Sequence, residues 1–280
     1  MAGLRELRAR LRSIQTTGQM AGAMRTAATA KYFRLSSQRG NLAPYSEACR
    51  KLLSQLGSAA IARECEENRV QNRNAIAVFG GHRGLCGGFN SDLQHFFQEC
   101  REKEAVPPLL LVGGRKMQTW FRENGLEFEP LDFSDIPTYA EAQAISQRLT
   151  ALYTSGEVKE VRLIFPRFCN MLMQQPTEQT FLPTAPQEDE AEHGCLILPD
   201  EDTLRRQLSV YGLDTVIYEV LVDTATGSQA ATMTAMRSAC DNAQEAEQKL
   251  SLTINRRRQA EVTSGVIETA SGMRGQGEEV

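Results

Sequence analysis

No proline lies between Gln229 and Val280, and across this stretch apolar or small residues return at steps of three and four: Met233, Met236, Cys240, Ala243, Leu250 and Ile254. That spacing marks one face of an α-helix, with Asp241, Asn242, Glu245, Lys249 and Arg256 directed elsewhere. The pattern extends back to about Thr203 and forward to Met273. Seventy helical residues rising 1.5 Å each span on the order of 100 Å, against a radius of gyration of roughly 13 Å for a 100-residue domain. A helix of that length needs a second helix along its flank.

The other end of the chain supplies one. From Gly3 to Leu56 the only proline is Pro44, and Leu4, Leu7, Leu11, Ile14, Ala21, Met24, Ala28 and Leu35 step by three or four. Leu52, Leu53 and Leu56 resume the period after Pro44, so that proline offsets the helix rather than ending it. Between Gly18 and Ala30 the seam is mostly Ala, Gly, Thr and Met, small enough for two helices to approach closely. The economical arrangement is an antiparallel coiled coil of the two termini, segments 1–72 and 201–280, with the four methionines Met20, Met24, Met233 and Met236 as core filling.

Between them the period changes. Arg63 to Asn74 is polar and reads as a linker, after which short apolar runs alternate with amphipathic stretches. Ala75–Phe79, Leu109–Val112, Glu127–Phe133 and Val161–Phe165 are predicted strands; 91–103, 115–124 and 139–154 are predicted helices. This alternation predicts a parallel sheet covered on both faces, with Glu178–Leu182 as an edge strand or a hairpin partner of the fourth. The expected class is α/β, with segment 73–200 inserted between the halves of the coiled coil.

The net charge of −4 conceals an asymmetry. Residues 1–39 carry eight basic side chains, Arg5, Arg8, Arg10, Arg12, Arg25, Lys31, Arg34 and Arg39, against Glu6 alone, while 187–202 carry seven acids and no Lys or Arg. The basic end lacks the interleaved aromatics of a nucleic-acid groove, which favours a solvated face or an acidic protein partner. The longest apolar runs fall short of a membrane span, and mean hydropathy is −0.37, so a soluble chain with at most an indirect link to a membrane is expected. Seven cysteines, odd in number and never spaced C-x-x-C, suggest neither a disulfide framework nor a zinc site.

The most tempting chemical motif is the glycine-rich stretch from Gly80 to Asn90, between a predicted strand and a predicted helix. Such turns cradle phosphate through backbone N–H groups, yet the stretch fits neither G-x-G-x-x-G at the expected offset nor G-x-x-x-x-G-K-[ST]. The alternative is a tight turn in which glycines serve packing and positive φ, with Asn90 or Ser91 capping the helix. Cys86 near a helix N-terminus would have a lowered pKa, with His82 the one nearby candidate base; the alternative, which the composition favours, is a small packed thiol. Val112 to Lys116 has the pattern of a second anion-favouring turn, which surface basicity at a helix start explains equally well.

Three blocks give the chain a family likeness: Leu4-Arg5-Glu6-Leu7-Arg8 through Ile14 with Ala23, Met24 and Lys31; Gly84-Leu85-Cys86-Gly87-Gly88-Phe89-Asn90-Ser91; and Gln229 to Ala243 with Asn255, Arg258, Gln259, Ala260, Thr263 and Glu268. In the same order over the whole length, these resemble the gamma subunits of F-type ATP synthases. The resemblance implies an antiparallel coiled coil inside a ring of alpha and beta subunits, and an inserted Rossmann-like α/β domain that sits with epsilon on the membrane c ring. It implies a rotor shaft, neither catalytic nor cofactor-binding, at the cytoplasmic face of the bacterial membrane. Met24 and Arg25 would meet the acidic lever loop of beta, and Arg258, Gln259 and Thr263 its catch region. Gly265 stands where the family usually has glutamate, and Gly22 and Thr26 where lysine and methionine are common. The regulatory cysteine insertion of the chloroplast form is absent, which implies no thiol switch.

Overall fold

The computed structural model describes residues 2–56, 73–183 and 201–275. The linker expected over 63–74 and the acidic segment 187–202 therefore fall almost wholly outside the described residues. Helix α1 runs Ala2–Leu56 and helix α5 runs Glu201–Gly275. Between them in sequence lie β1 (Ala75–Phe79), α2 (Phe89–Glu102), β2 (Leu109–Gly113), α3 (Arg115–Glu123), β3 (Glu129–Leu131), α4 (Tyr139–Thr154), β4 (Val161–Phe168) and β5 (Gln174–Leu182). The chain forms two compact units, one of Met1–Ala27 with Ala235–Val280 and one of Ala28–Thr234.

The first unit is an antiparallel helix pair. Gln15 Nε2 donates to Glu247 Oε1 at 2.7 Å, a Cβ at Gly18 would stand 3.2 Å from that of Ala243, and one at Gly22 would stand 4.0 Å from Cys240 Sγ. Partner numbers fall along α5 as they rise along α1, which fixes the direction. Ala21, Met236 and Ile254 are buried, Leu4, Leu7, Leu11, Ile14, Met24, Cys240, Ala243 and Leu250 are half-buried, and Asp241, Asn242, Glu245, Lys249 and Arg256 are exposed. The helical period therefore identified both seam and outer face. One expectation fails: Met20 is 62% exposed, because its position turns it to solvent one residue before the seam reaches Ala21.

In the second unit, a five-stranded sheet has the order β3-β2-β1-β4-β5. β1 to β4 are parallel to their neighbours and β5 is antiparallel to β4, so the last strand is a hairpin partner. Successive residues of the buried strands serve opposite faces, the period-two rule of a pleated strand. Ala75, Ala77, Phe79, Leu111, Leu163 and Phe165 share one core with Ile145, Leu149 and Leu152 of α4 and Leu213, Ile217 and Leu221 of α5. Ile76, Val78, Leu110, Val112 and Ile164 share the other with Leu93 and Phe97 of α2 and Met117 and Phe121 of α3. The third strand is shorter than the expected 127–133. Pro130, opposite Val112, has no N–H for a further neighbour, which confines the segment to the sheet edge. Helix α1 continues through Pro44, as the resumed leucine period implied.

Inside this unit the end of β4 is tied to both long helices. Phe168 clusters with Tyr32 and Ala230, and its N–H reaches Asp223 at 3.4 Å. Arg39 donates to Asp223 at 2.7 Å and to the Phe168 carbonyl at 3.3 Å.

The tight seam at Gly18 gives a direct test. Gly18→Leu should lower the stability of the helix pair by about 1–3 kcal/mol, the usual result of overpacking a well-filled contact, as read by urea denaturation followed by circular dichroism. Gly18→Ala, which adds one methyl group and a better helix former, should cost far less.

Candidate functional site

The glycine-rich turn after β1 is closed from within. Gly80 N–H donates to the Gly113 carbonyl at 3.0 Å and Lys116 N–H donates to the Gly81 carbonyl at 3.2 Å, so the two glycine turns clasp one another. A Cβ at Gly114, whose φ is +96°, would meet the Gly80 carbonyl oxygen at 2.2 Å, and one at Gly80 would meet Met117 Cγ at 2.1 Å. Glycine is needed here for close approach of backbone to backbone and to core.

Asn90 does not cap the following helix, contrary to the sequence expectation. Helix α2 begins at Phe89 after Gly88, with no side-chain cap, and Ser91 Oγ donates to the Gly88 carbonyl instead. The Asn90 amide is buried in the turn. Its Oδ1 accepts from Gly81 N–H at 3.0 Å, and its Nδ2 donates to the Arg83 carbonyl and to Cys86 Sγ, both at 3.1 Å. The N–H groups of Gly80, Gly81 and Lys116 are thus engaged within the protein. Burial pushes the Cys86 thiol up, with the Asn90 contact opposing only in part, so the low pKa expected from a helix terminus is not realised. Cys100, buried and 3.7 Å from Glu178 Oε2, is pushed up to about 11. Neither thiol has the electropositive setting of a nucleophile.

A charged cluster flanks this turn. Asp135, between β3 and α4, takes Lys31 Nζ at 2.5 Å and Arg83 Nη2 at 3.2 Å. Burial works against the Asp135 charge, but the Lys31 ammonium and Arg83 guanidinium outweigh it and hold the carboxyl below its ordinary value. His82 packs edge-on to Phe133 at 4.4 Å, with its Nε2 buried and without a hydrogen-bond partner. Burial pushes its pKa down, Asp135 and Glu141 opposing and Arg115 assisting. Sequence alone did not single out Asp135, because its partner Lys31 is 104 residues away and no local pattern couples them.

The five expected contact residues lie on the helix pair of the first unit. Met24 is half-buried, while Arg25, Arg258, Gln259 and Thr263 are exposed. The Thr263 hydroxyl donates to the Gln259 carbonyl one turn back, at 2.8 Å. Further apolar side chains stand out to solvent nearby on α5: Val262, Val266 and Ile267 are each more than half exposed. A Cβ at Gly265 would meet nothing within 4 Å. Among the described residues no group of three or more His, Cys, Asp or Glu side chains could hold a metal ion, and no helix is long and apolar enough to cross a membrane.

A family model described as ATP synthase matches residues 3–275. The ATP synthase gamma chain of Rubrobacter xylanophilus is 32% identical, over 97% of this chain and 98% of its own length, and that of Glaesserella parasuis is 31% identical, over 97% and 99%. The chain belongs to the ATP synthase gamma-chain family. Solved structures share the fold. A chain of the Euglena gracilis mitochondrial ATP synthase rotor superposes with a TM-score of 0.67 at 13% identity, over 93% of this chain and 99% of that one. One from the central stalk and c ring of Tetrahymena thermophila ATP synthase gives 0.57 at 16% identity, over 79% and 99%. Gamma-chain membership and the long terminal helices with their intervening α/β sheet now agree with the fold class expected from the sequence.

The buried imidazole makes stability depend on pH. A histidine whose folded pKa is depressed binds fewer protons folded than unfolded, so stability is full above its ordinary value of 6.5 and is lost as pH falls below it. The urea midpoint should therefore decline on going from pH 7 to pH 5.5. His82→Phe should flatten that decline, while the loss at still lower pH, where Asp135 protonates, should remain.

Proposed function

We propose that this chain is the central rotor shaft of an F-type ATP synthase, a non-catalytic subunit that couples turning of the membrane c ring to conformational change at the beta subunits. One observation carries the reading: in a member of the gamma-chain family, the two ends of the chain pair antiparallel along a seam of small residues. In this reading segments 1–72 and 201–280 are the shaft and 73–200 the inserted domain. Its partners are the alpha and beta subunits, the epsilon subunit and the c ring. It works at the cytoplasmic face of the bacterial membrane as a peripheral protein, reaching the bilayer only through the c ring.

The glycine turn, the strongest candidate for nucleotide binding, supports a structural role, since the N–H groups of Gly80 and Gly81 and the Asn90 amide are engaged within the protein. With no reactive group required, function falls to surface shape and charge. A ligand shifts an equilibrium only by the difference in its contact free energy with the two states, and here the shaft is that ligand to each beta subunit in turn. Arg25, Arg258, Gln259 and Thr263 present polar and charged groups for such contacts, with Met24 at the edge of the seam.

Two experiments test this. Co-expressed with the alpha and beta subunits of its source, the chain should purify in a fixed ratio with them and raise their ATPase activity. Alone it should show no saturable heat of ATP binding by calorimetry. Micromolar ATP binding abolished by Gly87→Val would instead favour a nucleotide-binding protein. For the contact residues, Met24→Lys should leave the complex assembled but lower proton pumping per ATP hydrolysed in inverted vesicles. Unchanged pumping would remove Met24 from the beta interface.

A further inference from the structure

Within the second unit a cavity of about 330 Å³ lies between α1, α5, β4 and β5. Phe165 of β4 and Val220 and Val222 of α5, all almost fully buried, give it an apolar wall. Leu42 of α1 and Val216 of α5, both half-buried, carry that wall outward. Four charged side chains complete the lining: Arg39, Arg167, Glu219 and Asp223. Arg39 is matched by Asp223, to which its Nε donates at 2.7 Å, and its guanidinium lies over the Phe168 ring at 5.3 Å. Glu219 has an interaction of its own. Among the described residues the Arg167 guanidinium has no partner, and its side chain is exposed at the rim.

The cavity thus joins an apolar wall to one unmatched positive charge. Its volume falls at the lower end of the roughly 300–1,000 Å³ of small-ligand sites. Apolar surface facing water is stabilised by any apolar group that covers it. A planar guanidinium with its donors free matches a carboxylate in a two-bond fork. An inorganic anion would satisfy Arg167 and leave the wall wet, and a plain hydrocarbon would do the reverse. An alkylammonium would bring a second positive charge against the first.

We infer that this cavity binds a free alkyl carboxylate, its chain along Phe165, Val216 and Val220 and its head group on Arg167. Such a ligand touches α1 at Leu42, α5 at Val216 and Val220, β4 at Phe165 and β5 at Gln179. Arg39, Asp223 and the Phe168 carbonyl already tie three of these elements together, so occupancy fastens both long helices to the sheet more firmly within this unit. The rotor-shaft reading calls for no small molecule, and this site stands whether or not that reading does.

The test uses the full chain with octanoate as the probe. Calorimetry should give saturable heat with a dissociation constant below about 1 mM, and octanoate should raise the urea midpoint, as a ligand selective for the folded state does. Hexanoate, shorter by two CH2 groups, should bind about ten-fold more weakly. Octylamine, with the same chain and the opposite charge, should give no saturable heat. Arg167→Gln should weaken octanoate binding at least about five-fold, and Ala43→Trp, at an exposed lining position, should weaken it by obstructing the cavity. Both variants should keep the circular dichroism of the parent. No saturable heat up to about 10 mM octanoate with the folded chain overturns the inference. Equal binding of octylamine overturns it, as does equal binding of hexanoate and octanoate. Octanoate binding that either substitution leaves unchanged puts the probe elsewhere and overturns it too.

Discussion

The approach of Gly18 to Ala243 sets what the helix pair can be. With 3.2 Å between a would-be Cβ and its neighbour, the backbones lie closer than leucines at these positions would allow. Each contact then buries little apolar area, so stability must come from many small contacts repeated along the pair. A mid-helix glycine costs about 1 kcal/mol relative to alanine, and close packing must offset it at Gly18. At Gly22 the neighbour is 4.0 Å away, and an alanine would fit without disturbance. Only one of the two glycines is required by contact. Gln15 and Glu247 add what small residues lack, a directional hydrogen bond that a sliding of one helix along the other would break.

The same economy explains why a glycine-rich turn in this α/β domain does not point to nucleotide chemistry. Two turns at the ends of neighbouring parallel strands satisfy each other's backbone groups, and a buried amide completes them. Unpaired donors in a dry site are costly, and a site that already pairs them has little to gain from an anion. The charged groups nearby, Lys31, Arg83 and Asp135, are likewise engaged with one another. What the domain still offers lies on its exterior.

Periodicity made the long elements legible. The three-and-four step of Met233, Met236, Cys240, Ala243, Leu250 and Ile254, and the matching one from Leu4 to Leu35, arise because one helix face must be dry, and burial follows them closely. The fully apolar run of β1 was equally clear, since both its faces are covered. Failures came where a side chain's partner is distant or its backbone is irregular. Asn90 has the composition of a cap but spends its amide on Gly81, Arg83 and Cys86, a choice imposed by the turn's shape. The third strand is shorter than its composition implied, and Pro130 keeps it at the sheet edge. Met20 fell one position off the seam. The function, by contrast, was legible only through the family blocks; residues alone left a nucleotide-binding turn and a basic coiled coil open as alternatives.

Magnitudes constrain how such a surface can drive a conformational change. Moving a two-state equilibrium from 1:99 to 99:1 takes a difference in binding of about 5.5 kcal/mol, whereas an exposed ion pair contributes roughly 0–1 kcal/mol. No single exposed residue, Arg258 included, can supply that difference through its charge. The discrimination must be summed over many positions or come from steric exclusion, in which the bulk of the helix pair forbids one conformation of its neighbour. Steric exclusion needs stiffness more than any particular side chain, and the small-residue seam together with the Gln15–Glu247 bond provides it.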